Sequence, residues 1–431
     1  MKLPPIEQAP VADIKNFQET ALQKLVQYVH EKSPFYHNWF KQHGVDPASI
    51  RQLKDLQQIP PVSKTELQRY NQQFYCVPRS AIRDYSNTSG TEGEAVTIPL
   101  SENDLERLAY NEAISLACTG GSKEEVYQLT TTADRRFMAG LAYVMGARKL
   151  GAGMVRVGPG IPELQWKTIQ EVNPSALIIV PSFLLKLIEW AEQHGIDYRN
   201  SSVRKAVCIG ESIRNDDFSL NPLARRITEK WEIPLYSTYA STEMATAFTE
   251  CEAGRGGHFH PELIITELLN ENNQPVAPGE AGELTITTLG VEAMPLIRFK
   301  TGDICRRHEE ACSCGRTTYR IGPVVGRKHQ MIKYKGTTLY PPSLFNVLDH
   351  TPEVINYLVE VYSNEFGNDE VRIRYAAKAG FNEKQLADHF KTSVRVTPEL
   401  IPSPQEELSR LMYPQMSRKP VKFLDKRVRV N

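Results

Sequence analysis

The 431-residue sequence contains no uninterrupted apolar run of the about eighteen residues that a membrane-spanning helix needs. Its opening residues, MKLPPIEQAP, have no basic stretch followed by an apolar one, so no export signal is predicted. Net charge is also lacking, because 51 basic side chains balance 51 acidic ones, and this excludes a general attraction to nucleic acid or anionic lipid. We therefore expect a cytoplasmic protein that binds small molecules, with no nucleic-acid or membrane partner.

Cysteine is scarce, and the Gly-Lys pair of a nucleotide-binding P-loop is absent. Seven cysteines, an odd number without an export signal, argue against a disulfide framework and leave reduced thiols or metal ligands. Residues 86–96, SNTSGTEGEAV, do have the glycines and hydroxyl groups with which a loop binds phosphate through its backbone N–H groups. Taken alone, such a string is more often a turn. It also has two glutamates where a phosphate loop usually has a lysine.

From about residue 100, helical stretches alternate with short β-rich runs, which predicts an α/β fold with mostly parallel strands. The β-rich runs are VYQLTTT at 126, GMVRVG at 153, ALIIVPS at 176, AVCIGES at 206 and PLYSTYAS at 234. Residues 135–152 and 181–195 are predicted helices between them. Ligands bind at the carboxyl ends of parallel strands, so the loops GES and YASTE, which follow two of these runs, are candidate binding loops.

Near the amino terminus an amphipathic packing helix is predicted, and it should end at Ser33-Pro34. Its apolar stripe consists of Phe17, Ala21, Leu22, Leu25, Val26 and Val29. The length of the chain predicts more than one domain. We expect a large amino-terminal domain of several subdomains at residues 1–326, with a β-rich subdomain at about 255–325, and a small α+β domain at 327–431.

Several motifs occur in an order that is typical of one enzyme family. The segment PFYHNWFKQHGVDPASIRQLKDLQQIPPVSKTEL is followed by SNTSGTEGE, YASTE at 239–243, GELTITTLGVEAMPLIRFKTGD at 282–303, GPVVGRKHQMIKYKGTTLYP, and SRKPVKFLDKR at 417–427. Over nearly its whole length the sequence resembles the phenylacetate–coenzyme A ligases and their relatives among the adenylate-forming enzymes. The combination of motifs in this order is far more specific than any one of them.

The resemblance implies two half-reactions. A carboxylate attacks the α-phosphate of ATP to give an acyl-adenylate and pyrophosphate, and the thiol of coenzyme A then displaces AMP to form a thioester. The small carboxy-terminal domain swings about a hinge between these steps, and the family likeness implies a homodimer. Two alternatives remain open: an adenylyltransferase that uses another acid or acceptor without coenzyme A, and a zinc-stabilised nucleotide-binding protein without catalysis.

By this resemblance one set of residues binds ATP and AMP. The β- and γ-phosphates would be held by Ser89, Gly90, Thr91 and Gly93. Tyr239 would stack on adenine, and Ala240, where the family usually has Gly, and Ser241 belong to the same motif. The loop Gly210, Glu211 and Ser212 would line the other side of adenine through its backbone. In the phosphate loop Glu92 stands where the family often has Thr, and Glu94 where it often has Lys, which predicts weak ATP affinity.

Three further positions match the catalytic residues of the family. Glu243 would coordinate the Mg²⁺ that accompanies ATP, since a carboxylate oxygen suits that cation, and Thr242 would contact the α-phosphate. Lys419 would neutralise the charge that develops during adenylation. The family usually has Gly before this lysine, whereas this chain has Arg418, and Lys422 is the nearest alternative.

The remaining matched positions surround the predicted domain boundary. Asp303 would accept hydrogen bonds from the ribose hydroxyl groups, and Arg327 would contact phosphate or ribose after domain closure. Gln330 falls at the hinge position, where the family normally has an acidic residue.

A structural Zn²⁺ site is predicted in the β-rich subdomain. Its ligands would be Cys251, His258, Cys312 and Cys314, because three thiolates and one imidazole form a tetrahedral set that zinc prefers. His260 is the alternative to His258, and ordinary reduced thiols are the alternative to a metal site. The spacing is not that of a standard zinc finger.

Finally, the resemblance implies an aryl acid as substrate. Phe137, Tyr143 and Phe183 are candidates to line an aryl slot, although aromatic residues at helical spacing more often belong to a core.

Overall fold

The computed structural model describes residues 3–88, 95–365, 368–413 and 420–427. The chain divides into a larger unit, residues 1–301 with 305–323, and a smaller unit, residues 302–304 with 324–431. Residues 302–304 are counted with the smaller unit because Asp303 and Ile304 pair antiparallel with Arg327 and Gly326. The α/β class and the small α+β unit that the sequence predicts are both observed.

The larger unit begins with helices that pack on one another and continues with alternating strands and helices. Its helices are α1 (Val11–Lys32), α2 (Pro34–His43), α3 (Lys64–Tyr70), α4 (Glu102–Cys118), α5 (Met138–Leu150), α6 (Pro162–Val172), α7 (Pro181–Gln193) and α8 (Pro222–Lys230). Its strands are β1 (Ile82–Asn87), β2 (Thr97–Ser101), β3 (Val126–Leu129), β4 (Gly153–Arg156), β5 (Ala176–Ile179), β6 (Lys205–Cys208), β7 (Leu235–Ser241), β8 (Thr246–Thr249), β9 (Gly257–His258), β10 (Ile264–Leu269), β11 (Gly282–Thr288), β12 (Phe299–Cys305), β13 (Arg307–His308) and β14 (Arg320–Ile321).

The five predicted β-rich runs and strand β8, which was not predicted, form one six-stranded sheet in the order β4-β3-β5-β6-β7-β8. Every pairing in it is parallel except that of β7 with β8. Successive side chains of a strand point to opposite faces, so Leu177 and Ile179 lie on one face and Ala176 and Ile178 on the other. The first face packs against residues of α6, α7 and α8, and the second against residues of α4 and α5. Both faces are therefore buried, as parallel strands require.

The region that was predicted to be β-rich contains short antiparallel pairings, β10 with β11 and the three-stranded order β13-β14-β9. The smaller unit consists of β15 (Gly326–Arg327), β16 (Ile332–Tyr334), β17 (Thr337–Leu339), α9 (Pro341–Asp349), β18 (Val354–Ser363), β19 (Asp369–Ala377), α10 (Glu383–Val394), β20 (Glu399–Pro402), α11 (Gln405–Met412) and β21 (Phe423–Asp425). Its main sheet has the order β20-β19-β18-β21 and packs on a core of its own.

Helix α1 ends at Lys32 as predicted, and Ser33 then caps α2 by accepting a hydrogen bond from Tyr36 N. The predicted stripe is wrong at its first position, because Phe17 is 43% exposed whereas Gln18 is buried. Gln18 lies on the buried face because its Nε2 donates to the carbonyl oxygens of Pro261 and Ile264, both at 3.0 Å. Burial of a side-chain amide costs little free energy when the amide donates two hydrogen bonds, so a polar residue is not necessarily solvent-exposed.

Candidate functional site

The first candidate loop follows β6 at the carboxyl edge of the six-stranded sheet. Gly210 has a left-handed backbone with φ of 70°, a conformation that glycine adopts without strain. The Glu211 carboxylate accepts hydrogen bonds from the N–H and the hydroxyl of Ser182, both at 2.9 Å, at the first turn of α7. Ser212 Oγ in turn donates to Arg214 O at 2.9 Å. These hydrogen bonds hold the Glu211 side chain against the first turn of α7 and the Ser212 side chain within the loop.

The second candidate loop begins later than the sequence indicated. Tyr239, Ala240 and Ser241 belong to β7 and not to a loop, because they pair with Phe248, Ala247 and Thr246 of β8. The Tyr239 ring lies against that of Phe248, with 6.0 Å between ring centroids and 18° between their planes. Only residues 242–245 form the turn between the two strands.

That turn carries Thr242 and Glu243, the two residues that were predicted to contact the α-phosphate and Mg²⁺. Both are half-buried, and with Arg107, Asp104 and other residues they line a small cavity of about 10 Å³. The turn is thus packed closely against helix α4, which carries Asp104 and Arg107. A closely packed turn holds its side chains in fixed positions, as a phosphate or metal contact requires.

The predicted phosphate loop follows β1, which forms an antiparallel hairpin with β2. Ser89, Gly90, Thr91 and Gly93, together with Glu92 and Glu94, lie outside the described residues. The base of the loop is described: Thr88 N donates to Val96 O at 3.0 Å, and Val96 N donates to Thr88 Oγ1 at the same distance. These two hydrogen bonds close the end of the hairpin at Thr88 and Val96.

In the smaller unit the structure brings two predicted residues together. Arg327 Nε lies 3.3 Å from Asp303 Oδ1, across the pairing of β12 with β15. Gln330 ends a short 3-10 helix, Lys328–Gln330. Lys419 and Arg418 lie outside the described residues. The alternative, Lys422, donates to Tyr357 Oη at 2.8 Å and to Asp349 Oδ1 at 3.2 Å, so its ammonium group is engaged with two side chains of this unit.

The structure gathers the four predicted zinc ligands into one cluster within the larger unit. The ligand atoms of Cys251, His258, Cys312 and Cys314 all lie within 4.8 Å of one another. His258 Nε2 is 3.3 Å from the Cys251 sulfur and 3.4 Å from the Cys314 sulfur, and the sulfurs of Cys251 and Cys312 are 3.5 Å apart. Ligands on a tetrahedral Zn²⁺ stand about 3.6–3.8 Å from each other, so the residues fit that ion.

His260 is not part of this cluster, because its Nδ1 hydrogen-bonds the buried carboxylate of Glu7 at 2.5 Å. Arg316 Nε donates to the other oxygen of Glu7 at 2.6 Å, and Arg316 Nη1 donates to the Cys314 sulfur at 3.4 Å. Burial alone would raise the pKa of the Cys314 thiol, but hydrogen bonds from His258 and Arg316 lower it to about 5. The surroundings therefore favour the thiolate, the form that binds metal.

The three aromatic residues that were predicted to line an aryl slot do not lie together. Tyr143 is buried in the core on the α4–α5 face of the central sheet, and Phe183 packs against the core on the opposite face. Phe137 is 37% exposed and precedes α5. A slot that contains both Tyr143 and Phe183 is therefore excluded, since the sheet separates them.

Two buried residues that sequence reasoning missed lie on α4. Arg107 donates four hydrogen bonds around the turn that carries Glu243. Glu112 is buried against α5, its Oε1 accepts from Asn111 Nδ2 at 3.2 Å, and burial raises the pKa of its carboxyl group to about 8. In the sequence both look like solvated positions of a charged helix, and only tertiary packing shows that they are buried.

Among the described residues, no helix combines the length and apolar character that a membrane crossing requires.

Candidate nucleotide-binding loops thus lie at the carboxyl edge of a parallel sheet. Comparison with known proteins agrees with this arrangement. Residues 85–293 match the family model of the AMP-binding enzymes. The fold is that of 2-hydroxyisobutyryl-CoA ligase, solved in the postadenylation state with an acyl-adenylate, with a TM-score of 0.84, 22% identity, and coverage of 98% of this chain and 92% of that one. The fold and site thus define an adenylate-forming enzyme.

Two relatives make the class more specific. The phenylacetate–coenzyme A ligase of Thermus thermophilus is 31% identical over 386 residues, which is 88% of this chain and 85% of that protein. The enzyme of the same name from Escherichia coli is 29% identical, over 80% of this chain and 78% of that protein. The chain belongs to the phenylacetate–coenzyme A ligase family, and it is an AMP-forming acid–coenzyme A ligase.

Proposed function

We propose that the acid is phenylacetate or a closely related arylacetate, which the enzyme activates as its adenylate and transfers to coenzyme A. The observation that carries this proposal is the 31% identity with a phenylacetate–coenzyme A ligase across 88% of the chain. A half-buried Tyr239 at the end of the central sheet, and a tightly packed turn after it, support a nucleotide site at that edge. The identity of the acid rests on the relatives.

Within the proposed site, the described residues have distinct tasks. The main chain of Gly210, Glu211 and Ser212 lines adenine on one side, and the ring of Tyr239 stacks on the other. Thr242 contacts the α-phosphate, and Glu243 holds Mg²⁺, which would supply positive charge at the phosphates when bound. A hard oxygen ligand at a rigid turn suits that ion, since Mg²⁺ is bound through few protein carboxylates.

Asp303 accepts hydrogen bonds from the ribose, and Arg327, whose Nε lies 3.3 Å from Asp303 Oδ1, contacts phosphate or ribose after domain closure, with Gln330 at the hinge. Lys419 approaches the reacting carboxylate and α-phosphate only in the adenylating orientation. That Lys422 is hydrogen-bonded to Tyr357 and Asp349 supports Lys419 over Lys422 for this role. The family likeness also supports a homodimer, which light scattering on the purified chain tests.

We further propose that Cys251, His258, Cys312 and Cys314 bind one structural Zn²⁺. The distances of 3.3–3.5 Å between ligand atoms support a closed tetrahedral site. Elemental analysis of the purified protein should give one zinc per chain, and Cys314→Ser should lose it. The matched control is Cys305→Ser, a buried cysteine outside the cluster. Wild-type protein with only traces of zinc would contradict the proposal.

The experiment that tests the substrate assignment is a panel of acids assayed for acid-dependent ATP–pyrophosphate exchange. Phenylacetate and ring-substituted arylacetates should give the largest kcat/KM, benzoates a smaller one, and short aliphatic acids the smallest. A higher kcat/KM for an aliphatic acid than for every arylacetate would overturn the assignment of the acid while leaving the reaction class intact.

A further inference from the structure

Helix α4 carries a buried arginine that is bound to three separate segments of main chain. Arg107 is 9% exposed, and its guanidinium donates to Leu289 O, Ala245 O and Leu263 O, each at 2.6 Å, and to Thr246 Oγ1 at 3.1 Å. The acceptors are thus main-chain or hydroxyl oxygens. Taking a guanidinium out of water is costly, and burial lowers the pKa of Arg107 to about 10. This free-energy cost indicates that Arg107 stabilises a specific part of the structure.

Arg107 contacts the turn between β7 and β8. The turn at residues 242–245 contains Thr242 and Glu243, and it closes through a residue with a left-handed backbone, Ala245, whose φ is 47°. A residue with a Cβ atom adopts that conformation only at a cost in free energy. Two of the four hydrogen bonds of Arg107 go to Ala245 and to the next residue, Thr246. The arginine therefore holds the strained end of the turn.

The other two hydrogen bonds anchor the arginine itself. Leu289 directly follows β11, and Leu263 directly precedes β10, the two paired strands of the β-rich region. Arg107 thus connects the turn to the paired strands β10 and β11 as well as to α4. Arg107, Thr242 and Glu243 also line the same small cavity, which places Arg107 beside the two residues that are proposed to contact the ligand.

We propose that Arg107 is a positioning residue for adenylation: by hydrogen-bonding the left-handed end of the turn, it fixes the places of Thr242 and Glu243. The inference rests on the proposed roles of those two residues. A positioning role and a general packing role predict different effects when Arg107 is substituted. Loss of packing lowers thermal stability, whereas displacement of Glu243 raises the Mg²⁺ and MgATP concentrations that the enzyme needs.

The test is Arg107→Lys, which keeps the charge but not the fork of donors that reaches four oxygens at once. Loss of a group that orients a metal ligand typically costs 10–100-fold in metal affinity. We expect the Mg²⁺ concentration for half-maximal pyrophosphate release, and the KM for MgATP, to rise about tenfold. The KM for the acid should change less than twofold.

A second substitution separates strain from packing. Ala245→Gly removes the penalty of the left-handed backbone, since glycine adopts that conformation freely. Alone it should change the kinetics little. Combined with Arg107→Lys, it should recover at least threefold of the lost MgATP affinity, because the turn then keeps its shape without the arginine. Equal MgATP affinity for the single Arg107 variant and the double variant would contradict the inference.

The control is Arg298→Lys in the same unit. Arg298 is also buried, donates to the main-chain oxygen of Ile59 at 2.7 Å and pairs with Glu267, but it does not line the cavity beside the turn. It should lower the melting temperature without changing the half-saturating Mg²⁺ concentration. If Arg107→Lys behaves in the same way, its role is structural only and the inference is wrong.

Glu243→Gln tests the underlying assignment separately. A higher half-saturating Mg²⁺ concentration for this variant supports the proposed metal ligand, whatever Arg107→Lys does. If Glu243→Gln leaves that concentration unchanged, the assignment of the ligand fails, and the inference about Arg107 fails with it. If only Arg107→Lys leaves it unchanged, the inference alone fails.

Discussion

Arg316 Nε donates to Glu7 Oε2 at 2.6 Å, an ion pair between residues 309 positions apart in which both side chains are buried. Burial would raise the pKa of Glu7, but the charges and hydrogen bonds of His260 and Arg316 lower it. The same guanidinium donates to the Cys314 sulfur at 3.4 Å. The first residues of the chain are therefore connected, through a single arginine, to the thiol cluster that we assign to zinc.

This connection predicts that Glu7→Gln weakens zinc binding although Glu7 is not a ligand. The variant removes the charge that orients Arg316 toward the Cys314 thiolate, and such outer hydrogen bonds typically contribute 10–100-fold to metal affinity. Zinc release to a chromogenic chelator should be about tenfold faster than from the wild type. Glu171→Gln, an exposed glutamate of α6, is the control and should release zinc like the wild type. Release at the wild-type rate from the Glu7 variant would disprove the connection.

Lys419→Ala should separate the two half-reactions. The lysine is proposed to act only in adenylation, so acid-dependent pyrophosphate release should fall by about 10²–10³-fold, as when a single group that stabilises transition-state charge is removed. Thioester formation from an acyl-adenylate that is supplied directly should stay within a few-fold of wild type. Lys422→Ala is the control for a nearby lysine, and it should chiefly reduce stability. Unimpaired pyrophosphate release from Lys419→Ala would remove this lysine from the mechanism.

The proposed phosphate loop has two glutamates and no lysine. Carboxylates near a triphosphate repel it, so Glu94→Lys should lower the KM for ATP by severalfold at low ionic strength and by less at high salt. Glu102→Lys, an equal charge change on the exposed start of α4, should have a much smaller effect. An unchanged or higher KM for Glu94→Lys would show that this side chain lies outside the field of the phosphates.

Glu112 should make the stability of the larger unit depend on pH. Burial raises its folded-state pKa to about 8, above the value of about 4.3 in an unfolded chain, so the folded state binds the extra proton between these values. The contribution of Glu112 to the free energy of unfolding is therefore fully present below about pH 4 and decreases as the pH rises toward 8. Glutamine stays neutral throughout. Glu112→Gln should thus raise the melting temperature at pH 8, by about 2–4 °C per kcal/mol gained, and change it little at pH 5.

The control for this prediction is Glu163→Gln, an exposed glutamate at the start of α6. Its melting temperature relative to the wild type should be the same at both pH values. A gain for Glu112→Gln that is equal at pH 5 and pH 8 would mean that Glu112 does not bind the extra proton in the folded state.

The sequence was sufficient to predict strands β3 to β7 and helices α5 and α7, because each is a short, continuous apolar or periodic run, but strand β8 was not predicted. It also indicated the four residues of the thiol cluster, through their ligand chemistry and the family resemblance, although their spacing is not that of a standard zinc finger. It placed the start of the second loop three residues too early, because nothing in YASTE marks where the pairing of β7 with β8 ends.

Residues that act through long-range contacts were not predictable. Glu7, Arg107 and Arg316 look like ordinary charged residues, and each acquires its role from an acceptor or donor at least 138 positions away. The apolar stripe was predicted to include Phe17 and not Gln18 for the same reason, because the carbonyl groups that bind Gln18 lie 243 and 246 positions further along the chain. Periodicity reports the local pattern, whereas hydrogen bonds between distant segments decide these cases.

The most direct measurement of the central claim is the product formed from ATP, phenylacetate and the purified chain, with and without coenzyme A, analysed by mass spectrometry. With coenzyme A, phenylacetyl-CoA, AMP and pyrophosphate should accumulate in equal amounts. Without coenzyme A, only enzyme-bound phenylacetyl-adenylate should form, at no more than one per chain. The absence of thioester with every arylacetate in the presence of coenzyme A, while pyrophosphate is still released, would contradict the assignment as an acid–coenzyme A ligase.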